Sequence, residues 1–206
     1  MSNQDLIRYL EESGLLKSPK LKVALQKNPR ELFVGKKNLS TAYLDSALSI
    51  GFGQTISQPT TVVIMLELLD VRKDQKILEI GYGSGWQTAI LAGLVGDRGC
   101  VYAFEIIHEL ADFGEKNLTK LNFKNIKTFH TDYKDKLDQI GKVDRIISGA
   151  AFEEIPKDLK QILNIGGRLV VPTHQHDIRL IIRKNTNQYM ENIFPGFVFV
   201  PITHKR

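Results

Sequence analysis

Apolar residues change their spacing along this chain, and the change falls near residue 75. Before it the pattern is helical. Residues 3–13 and 19–28 read as two helices, the second with Leu21 and Leu25 on one face, and Ser18 before Pro19 suits an N-cap followed by an N1 proline. Residues 30–49 are mixed and expected to be irregular, with Ser40 or Thr41 able to start a short turn. A glycine-containing block, 51–59, leads into a helix from Pro59 or Thr60 through Val62, Val63, Leu66 and Leu69 to about Asp70. From Lys76 onward short apolar runs alternate with helix-like segments. Strands are predicted at 76–78, 100–104, 125–130, 143–148 and 168–172, the last entered by a turn at Gly166-Gly167, and a helix-like run at 87–92 follows the first strand. Such alternation predicts an α/β fold with a doubly wound, mostly parallel sheet. The tail differs: 178–183 and 197–200 read as strands, with 184–189 a polar connection, giving an antiparallel edge and seven strands in all. No internal repeat or low-complexity tract interrupts the pattern, so one domain, 1–206, is expected.

Composition narrows the class without naming a chemistry. At 206 residues and 42% hydrophobic the chain can bury a sizeable core. No apolar run approaches the roughly 18 residues needed to span a bilayer, and Met-Ser-Asn-Gln-Asp lacks the basic and apolar regions of a secretory signal. The single cysteine, Cys100, excludes an intramolecular disulfide and a cysteine-based zinc site. It reads as a core or strand-end residue, and a reducing, cytoplasmic setting is the simplest expectation. Lys+Arg exceed Asp+Glu by 28 to 23, with a pI near 9.2. Seven basic residues against Glu31 lie between Lys17 and Lys37. Either a nucleic-acid surface or a solvated lysine face fits. Lysines dominate without interleaved aromatics, which favours the solvated face and argues against nucleic acid as a partner.

The candidate chemistry concentrates in Glu79-Ile80-Gly81-Tyr82-Gly83-Ser84-Gly85-Trp86. A strand, a glycine turn and a helix N-terminus bring backbone close to a ligand. A dinucleotide fingerprint places glycines at its first, third and sixth positions; here they fall at 81, 83 and 85, with Glu79 two residues ahead. This spacing resembles that of S-adenosylmethionine (SAM) methyltransferases. Glu105 ends the second strand, where a carboxylate can accept from ribose hydroxyls; the competing reading is a solvated strand-end charge. Asp132 follows the third strand, suited to an adenine amino group or to turn chemistry alone. The expected cofactor set is therefore Gly81, Tyr82, Gly83, Ser84, Gly85, Glu105, Ile106, Asp132 and Tyr133. Trp86 reads as a packing aromatic at the helix start.

One family comes into view at Gly53-Gln54-Thr55-Ile56-Ser57-Gln58-Pro59. With Arg30-Glu31-Leu32-Phe33-Val34, Ala42-Tyr43-Leu44-Asp45, Asp144-Arg145-Ile146-Ile147, Ala150-Ala151, Ile155-Pro156, Gly166 to Pro172 and Phe199-Val200-Pro201-Ile202-Thr203, nearly the whole chain resembles protein-L-isoaspartate O-methyltransferases. The resemblance implies a Rossmann-like SAM methyltransferase fold, with residues 1–75 as the helical, substrate-side segment and 76–206 as the SAM-binding core. It implies methylation of the free carboxylate of L-isoaspartyl residues in damaged proteins or peptides, the ester then collapsing to a succinimide. It also implies Ser57 at the methyl-transfer site, Gln54, Thr55 and Ile56 beside it, and Thr203 nearby. A monomer with no metal is expected.

The residue types agree with that chemistry. A carboxylate with a pKa near 4 is already ionised at neutral pH, so no general base is needed, and no compelling His-Asp or Cys-His dyad appears. Alignment is what remains for the protein to supply. A hydroxyl such as Ser57 can donate to one carboxylate oxygen and hold the other toward the methyl group; alternatively Ser57 is the N-cap of the helix after Pro59. His174-Gln175-His176-Asp177 reads as a solvated polar turn rather than a metal site. The chain departs from the family at Phe52, where histidine is common, at Tyr133, where glycine is common, at Trp86, and in a fourth-strand loop one residue longer. Cofactor binding tolerates these changes better than acceptor choice does, so the acceptor pocket is expected to differ from the family norm. Two other readings share the scaffold: a SAM enzyme acting on RNA or another peptide acceptor, and a cofactor-binding module without catalysis.

Overall fold

The structure, a computed structural model, describes residues 1–203. Its first third is helical: α1 (Asn3–Glu12), α2 (Pro19–Lys27) and two 3-10 turns at Arg30–Leu32 and Lys36–Thr41 precede a hairpin of β1 (Leu48–Gly51) and β2 (Gln54–Ile56), then α3 (Pro59–Leu69). Local chemistry sets these boundaries. Ser2 and Asp5 form a reciprocal capping box on α1, and the Ser18 hydroxyl accepts from the Leu21 amide ahead of Pro19 on α2. Ser57 does not cap α3. Its N-cap is Gln58, and the carboxylate of Asp45 takes over, accepting from the Thr60 amide (2.9 Å) and hydroxyl (2.7 Å).

The remainder alternates: β3 (Lys76–Ile80), α4 (Trp86–Val95), β4 (Cys100–Glu105), α5 (His108–Leu118), β5 (Ile126–His130), α6 (Leu137–Ile140), β6 (Val143–Ser148), α7 (Lys157–Ile162), β7 (Leu163–Thr173), β8 (Asp177–Arg183) and β9 (Tyr189–Pro195). They form a seven-stranded sheet ordered β5-β4-β3-β6-β7-β8-β9, parallel from β5 to β7 and antiparallel from β7 to β9. Both faces of the parallel part are covered. Along β3 and β4, Ile77, Val101 and Ala103 join one apolar layer while Leu78, Ile80 and Phe104 join the other, as period-two side chains must. The chain winds outward from β3 to β5 and returns on the other side at β6. The carboxyl ends of β3 and β6 therefore flank a switch point, where such sheets bind ligands.

Two expectations need correction. Residues 197–200 are not a strand; the last strand is Tyr189–Pro195, a largely exposed edge whose apolar residues do not alternate with polar ones. Phe197 and Phe199 instead pack part-buried on the core, and the Val200 carbonyl accepts from the Ala151 amide. Gly166-Gly167 also do not precede the fifth strand. They lie inside β7, where Leu163 pairs with Val143 and Arg168 with Arg145, so the glycines absorb a bulge. The β1–β2 hairpin and α5 lacked a sequence signal strong enough to place them.

Candidate active site

The glycine loop is fixed before any ligand arrives. The amides of Gly81 and Tyr82 both donate to the Phe104 carbonyl, at 2.7 and 3.1 Å, tying the loop to the end of β4. Gly85 starts α4 at φ +82, and a Cβ there would lie 2.9 Å from Leu118 of α5, so this glycine serves helix packing and borders neither cavity described below. Tyr82 turns the same way: its ring is buried, and its hydroxyl donates to the Ala111 carbonyl at 3.2 Å. Burial, with four surrounding carboxylates, holds that phenol well above its ordinary pKa. On the other side, Gly149 donates to the Ile80 carbonyl, and a Cβ on it would sit 2.7 Å from the Gly81 carbonyl. A residue with no pattern in the sequence thus lets the β6 loop close on the glycine loop.

Glu105 bridges the two strand ends. Its Oε2 accepts from the Gly83 amide (3.0 Å), and its Oε1 accepts from the amides of Ile106 (2.9 Å) and Ile107 (3.0 Å). At 6% exposure it is not a solvated strand-end charge. Three of its roughly four acceptor positions are taken, and Oε2 keeps room for one more donor. Asp132 caps the 3-10 turn at Tyr133–Lys136, accepting from the Lys134 amide at 3.0 Å. Tyr133 sends its ring into the core layer, where burial first, then Asp158 and Asp132, push its phenol well upward.

These groups border a cleft of about 620 Å³, including its open mouth. Gly81, Gly83, Glu105, Ile106, Asp132 and Tyr133 form its sheet side, with Leu110. Gln54 and Thr55 from the hairpin and Thr203 from the C-terminal segment form the other wall. Residues 200–202 are held there by Ala151, which donates to the Val200 carbonyl and accepts from the Ile202 amide. A second cavity of about 390 Å³ adjoins it, sharing Thr55, Gly81, Gly83 and Gly149, and contains Ile56, Ser57, Tyr82, Ser84 and Glu79. The expected residues are thus brought together in two connected spaces, Gly85 excepted.

Within the second cavity, Glu79 is fully buried. Its Oε1 accepts from the side-chain amide of Gln87 at 3.1 Å, while Oε2 makes no hydrogen bond among the described residues. Burial pushes its carboxyl up to about 7; Thr88 and Gln87 pull it down, and Glu105 adds to the rise. The Ser57 hydroxyl makes no hydrogen bond among the described residues, whereas the Ser57 carbonyl is firmly held. Arg30 has no exposed surface, and its guanidinium donates to the carbonyls of Ala42 (2.7 Å), Leu44 (3.3 Å), Ser46 (2.9 Å), Ile56 (3.3 Å) and Ser57 (2.9 Å). It also lies 5.4 Å from the centre of the Trp86 ring, whose indole donates to the Asn28 carbonyl. Burial lowers its pKa to about 10, Asp45 partly opposing, so it stays charged at neutral pH. Sequence reading passed over Arg30 because periodicity does not mark a buried cation.

The residues fit SAM. Oε2 of the buried Glu79 makes no hydrogen bond among the described residues and can take a donor from the ligand. Glu105 offers an acceptor beside the glycine loop, and Ile106, Ile107 and Leu110 give the first cleft an apolar wall for a flat ring. His174, Gln175 and His176 are exposed, and Asp177 turns inward to the Thr173 hydroxyl and Arg179.

Comparison with known proteins gives a consistent result. The model of the family described as protein-L-isoaspartate(D-aspartate) O-methyltransferase matches residues 1–206. A protein-L-isoaspartate O-methyltransferase of Dictyoglomus turgidum is 41% identical over 202 residues, covering 97% of this chain and 90% of the relative. One from Vibrio vulnificus is 40% identical over 206 residues, covering 98% and 97%. Among solved structures, a Plasmodium falciparum β-aspartate methyltransferase in complex with S-adenosyl-L-homocysteine superposes over all of both chains with a TM-score of 0.90 at 21% identity, a likeness of fold.

Proposed function

The chain belongs to the protein-L-isoaspartate(D-aspartate) O-methyltransferase family, and from that premise we propose that it methylates the free carboxylate of L-isoaspartyl residues in damaged proteins and peptides, using SAM. The ester opens a route through a succinimide back to normal aspartate. The observation that carries the reading within the site is Ser57: a hydroxyl with no hydrogen-bond partner among the described residues, in a cavity that shares its wall with the glycine loop.

SAM, when bound, supplies a methyl group activated by the sulfonium charge. The chain's own residues divide the remaining work. Gly81 and Gly83 allow close approach, Glu105 receives a ribose hydroxyl, and Asp132 and the Tyr133 backbone meet the adenine edge. Ile106 and Leu110 offer the flat ring an apolar surface. On the acceptor side Ser57 donates to one carboxylate oxygen and leaves the other free, while Gln54, Thr55, Ile56 and Thr203 border the peptide. No residue needs to remove a proton, because the acceptor is ionised at neutral pH. Fixing the nucleophile in line with the methyl group is worth several kcal/mol by orientation alone.

Residues 1–75, joined by the segment that ends at Thr203, provide the acceptor side, and the parallel strands from Lys76 onward the cofactor side. The enzyme acts as a monomer in the cytoplasm, a setting that suits its lone free cysteine. No described helix is long and apolar enough to cross a membrane. Transfer of labelled methyl from SAM to matched isoaspartyl and aspartyl peptides tests the proposal. Base-labile label on the isoaspartyl peptide alone supports it; transfer to neither, with SAM bound, removes it and makes RNA the next acceptor to try.

A further inference from the structure

The hairpin beside the cleft closes on a turn that contradicts its own residue preferences. Gly51 pairs with Gln54, leaving Phe52-Gly53 as a two-residue loop with φ of +52° and +71°. Both central residues are left-handed, as in a type I′ turn, whose first position strongly favours asparagine, aspartate or glycine. A bulky aromatic at positive φ is an outlier. The fold gains nothing visible in return, since the ring is 58% exposed and joins neither apolar layer. Where a local rule is broken without structural compensation, function is the place to look.

Its position supplies that function. Ile50 and Gln54, two residues to either side, both border the cleft. At about 3.3 Å per residue along a strand, the Cα of Phe52 stands within roughly 7 Å of those of Ile50 and Gln54. On the same side, Asn38 donates to the Ser49 carbonyl at 2.8 Å and brings along the exposed Leu39. The C-terminal segment that shares this wall carries Val198, 77% exposed, two residues before the cleft-lining Val200. A polypeptide lying extended across this mouth covers about 3.3–3.6 Å per residue.

We propose that Phe52 is a specificity-determining residue for the acceptor: its ring packs on an apolar side chain one or two residues from the isoaspartate of an extended polypeptide. The inference rests on the isoaspartyl reading above. An aromatic suits the task, offering a large contact area for the loss of two rotatable bonds.

The test uses matched isoaspartyl peptides carrying leucine, serine or lysine at the flanking positions, with the parent enzyme, Phe52→Asn and Phe52→Tyr. The parent favours leucine over serine by about tenfold in kcat/KM, expressed in KM. Phe52→Asn loses that preference with SAM affinity unaltered, and its Tm rises by about 2 °C because asparagine fits the turn. Phe52→Tyr keeps the preference. Equal use of all peptides by the parent, a preference for lysine, or a leucine preference that survives Phe52→Asn overturns the inference and leaves the isoaspartyl reading standing. A lower Tm in Phe52→Asn also overturns it, by showing that the ring serves the fold. Transfer to none of the peptides overturns both.

Discussion

The carbonyl of Ser57 accepts a 2.9 Å hydrogen bond from Nη2 of Arg30, a side chain with no exposed surface. The hydroxyl proposed to steer the acceptor is thus mounted on a backbone held by a buried cation. That cation collects four further carbonyls from the segment between residues 42 and 56 and lies over Trp86, at the start of the helix that follows the glycine loop.

Replacing Ser57 by alanine separates orientation from binding. We expect kcat to fall by about ten- to a hundredfold, the loss of one aligned hydrogen bond to a charged group. The Kd for SAM should hold, because Ser57 stands on the acceptor side of the shared wall. Calorimetry and single-turnover rates read the two quantities separately, and an unchanged rate removes Ser57 from the mechanism.

Arg30→Met should destabilise the fold by about 3–5 kcal/mol, since five backbone carbonyls, those of Ala42 and Ile56 in buried hydrogen bonds, lose their donor. Arg30→Lys, which keeps the charge but not the fork, should lose less stability and still lower kcat. Urea unfolding gives the first number. A midpoint within error of the parent for Arg30→Met would falsify the clamp.

Glu79 predicts a pH dependence with a definite sign. Its carboxyl titrates near 7 in the folded protein against an ordinary value of 4.5. The native state therefore holds a proton that the unfolded chain releases between those values. Stability from this group is fully present below pH 4.5, declines as pH rises, and is lost above 7, by roughly 3 kcal/mol in all. Glu79→Gln should match the parent near pH 4.5 and exceed it at pH 8. Urea midpoints at the two pH values decide; a difference that does not grow with pH counts against a proton on Glu79.

Glu105 has two duties that one substitution should expose together. Glu105→Ala removes the acceptor for the Gly83, Ile106 and Ile107 amides as well as the proposed ribose contact. We expect SAM affinity to fall by at least about tenfold and Tm by about 2–4 °C. Weaker cofactor binding with an unmoved Tm would contradict the bridge between the strand ends.

The parallel half of this fold was legible because it is made of short buried runs. Val143–Ser148 was found to the residue from its β-branched Val143, Ile146 and Ile147, and the glycine spacing after Lys76–Ile80 marks the cofactor side. Edges and exceptions were not. Tyr189–Pro195 is exposed along most of its length and carries no period-two signal, so the apolar stretch at Phe197–Val200 took its place in the reading. Ser57 looked like a helix cap because the cap actually used, Asp45, lies fifteen residues from its partner Thr60. Arg30 and Gly149 were invisible for a related reason: what they do depends on chain brought near them by the fold.

The two walls of the cleft are also unequal in their freedom to change. The cofactor wall consists of strand ends locked into seven-stranded pairing, so drift there is paid for in folding. The wall proposed for the acceptor is a hairpin with a two-residue turn and a C-terminal segment hung from Ala151, and Phe52 at its tip is 58% exposed. A lineage carrying this scaffold can therefore retune which damaged sequences it repairs through single substitutions at the hairpin tip, while the transfer chemistry is inherited intact.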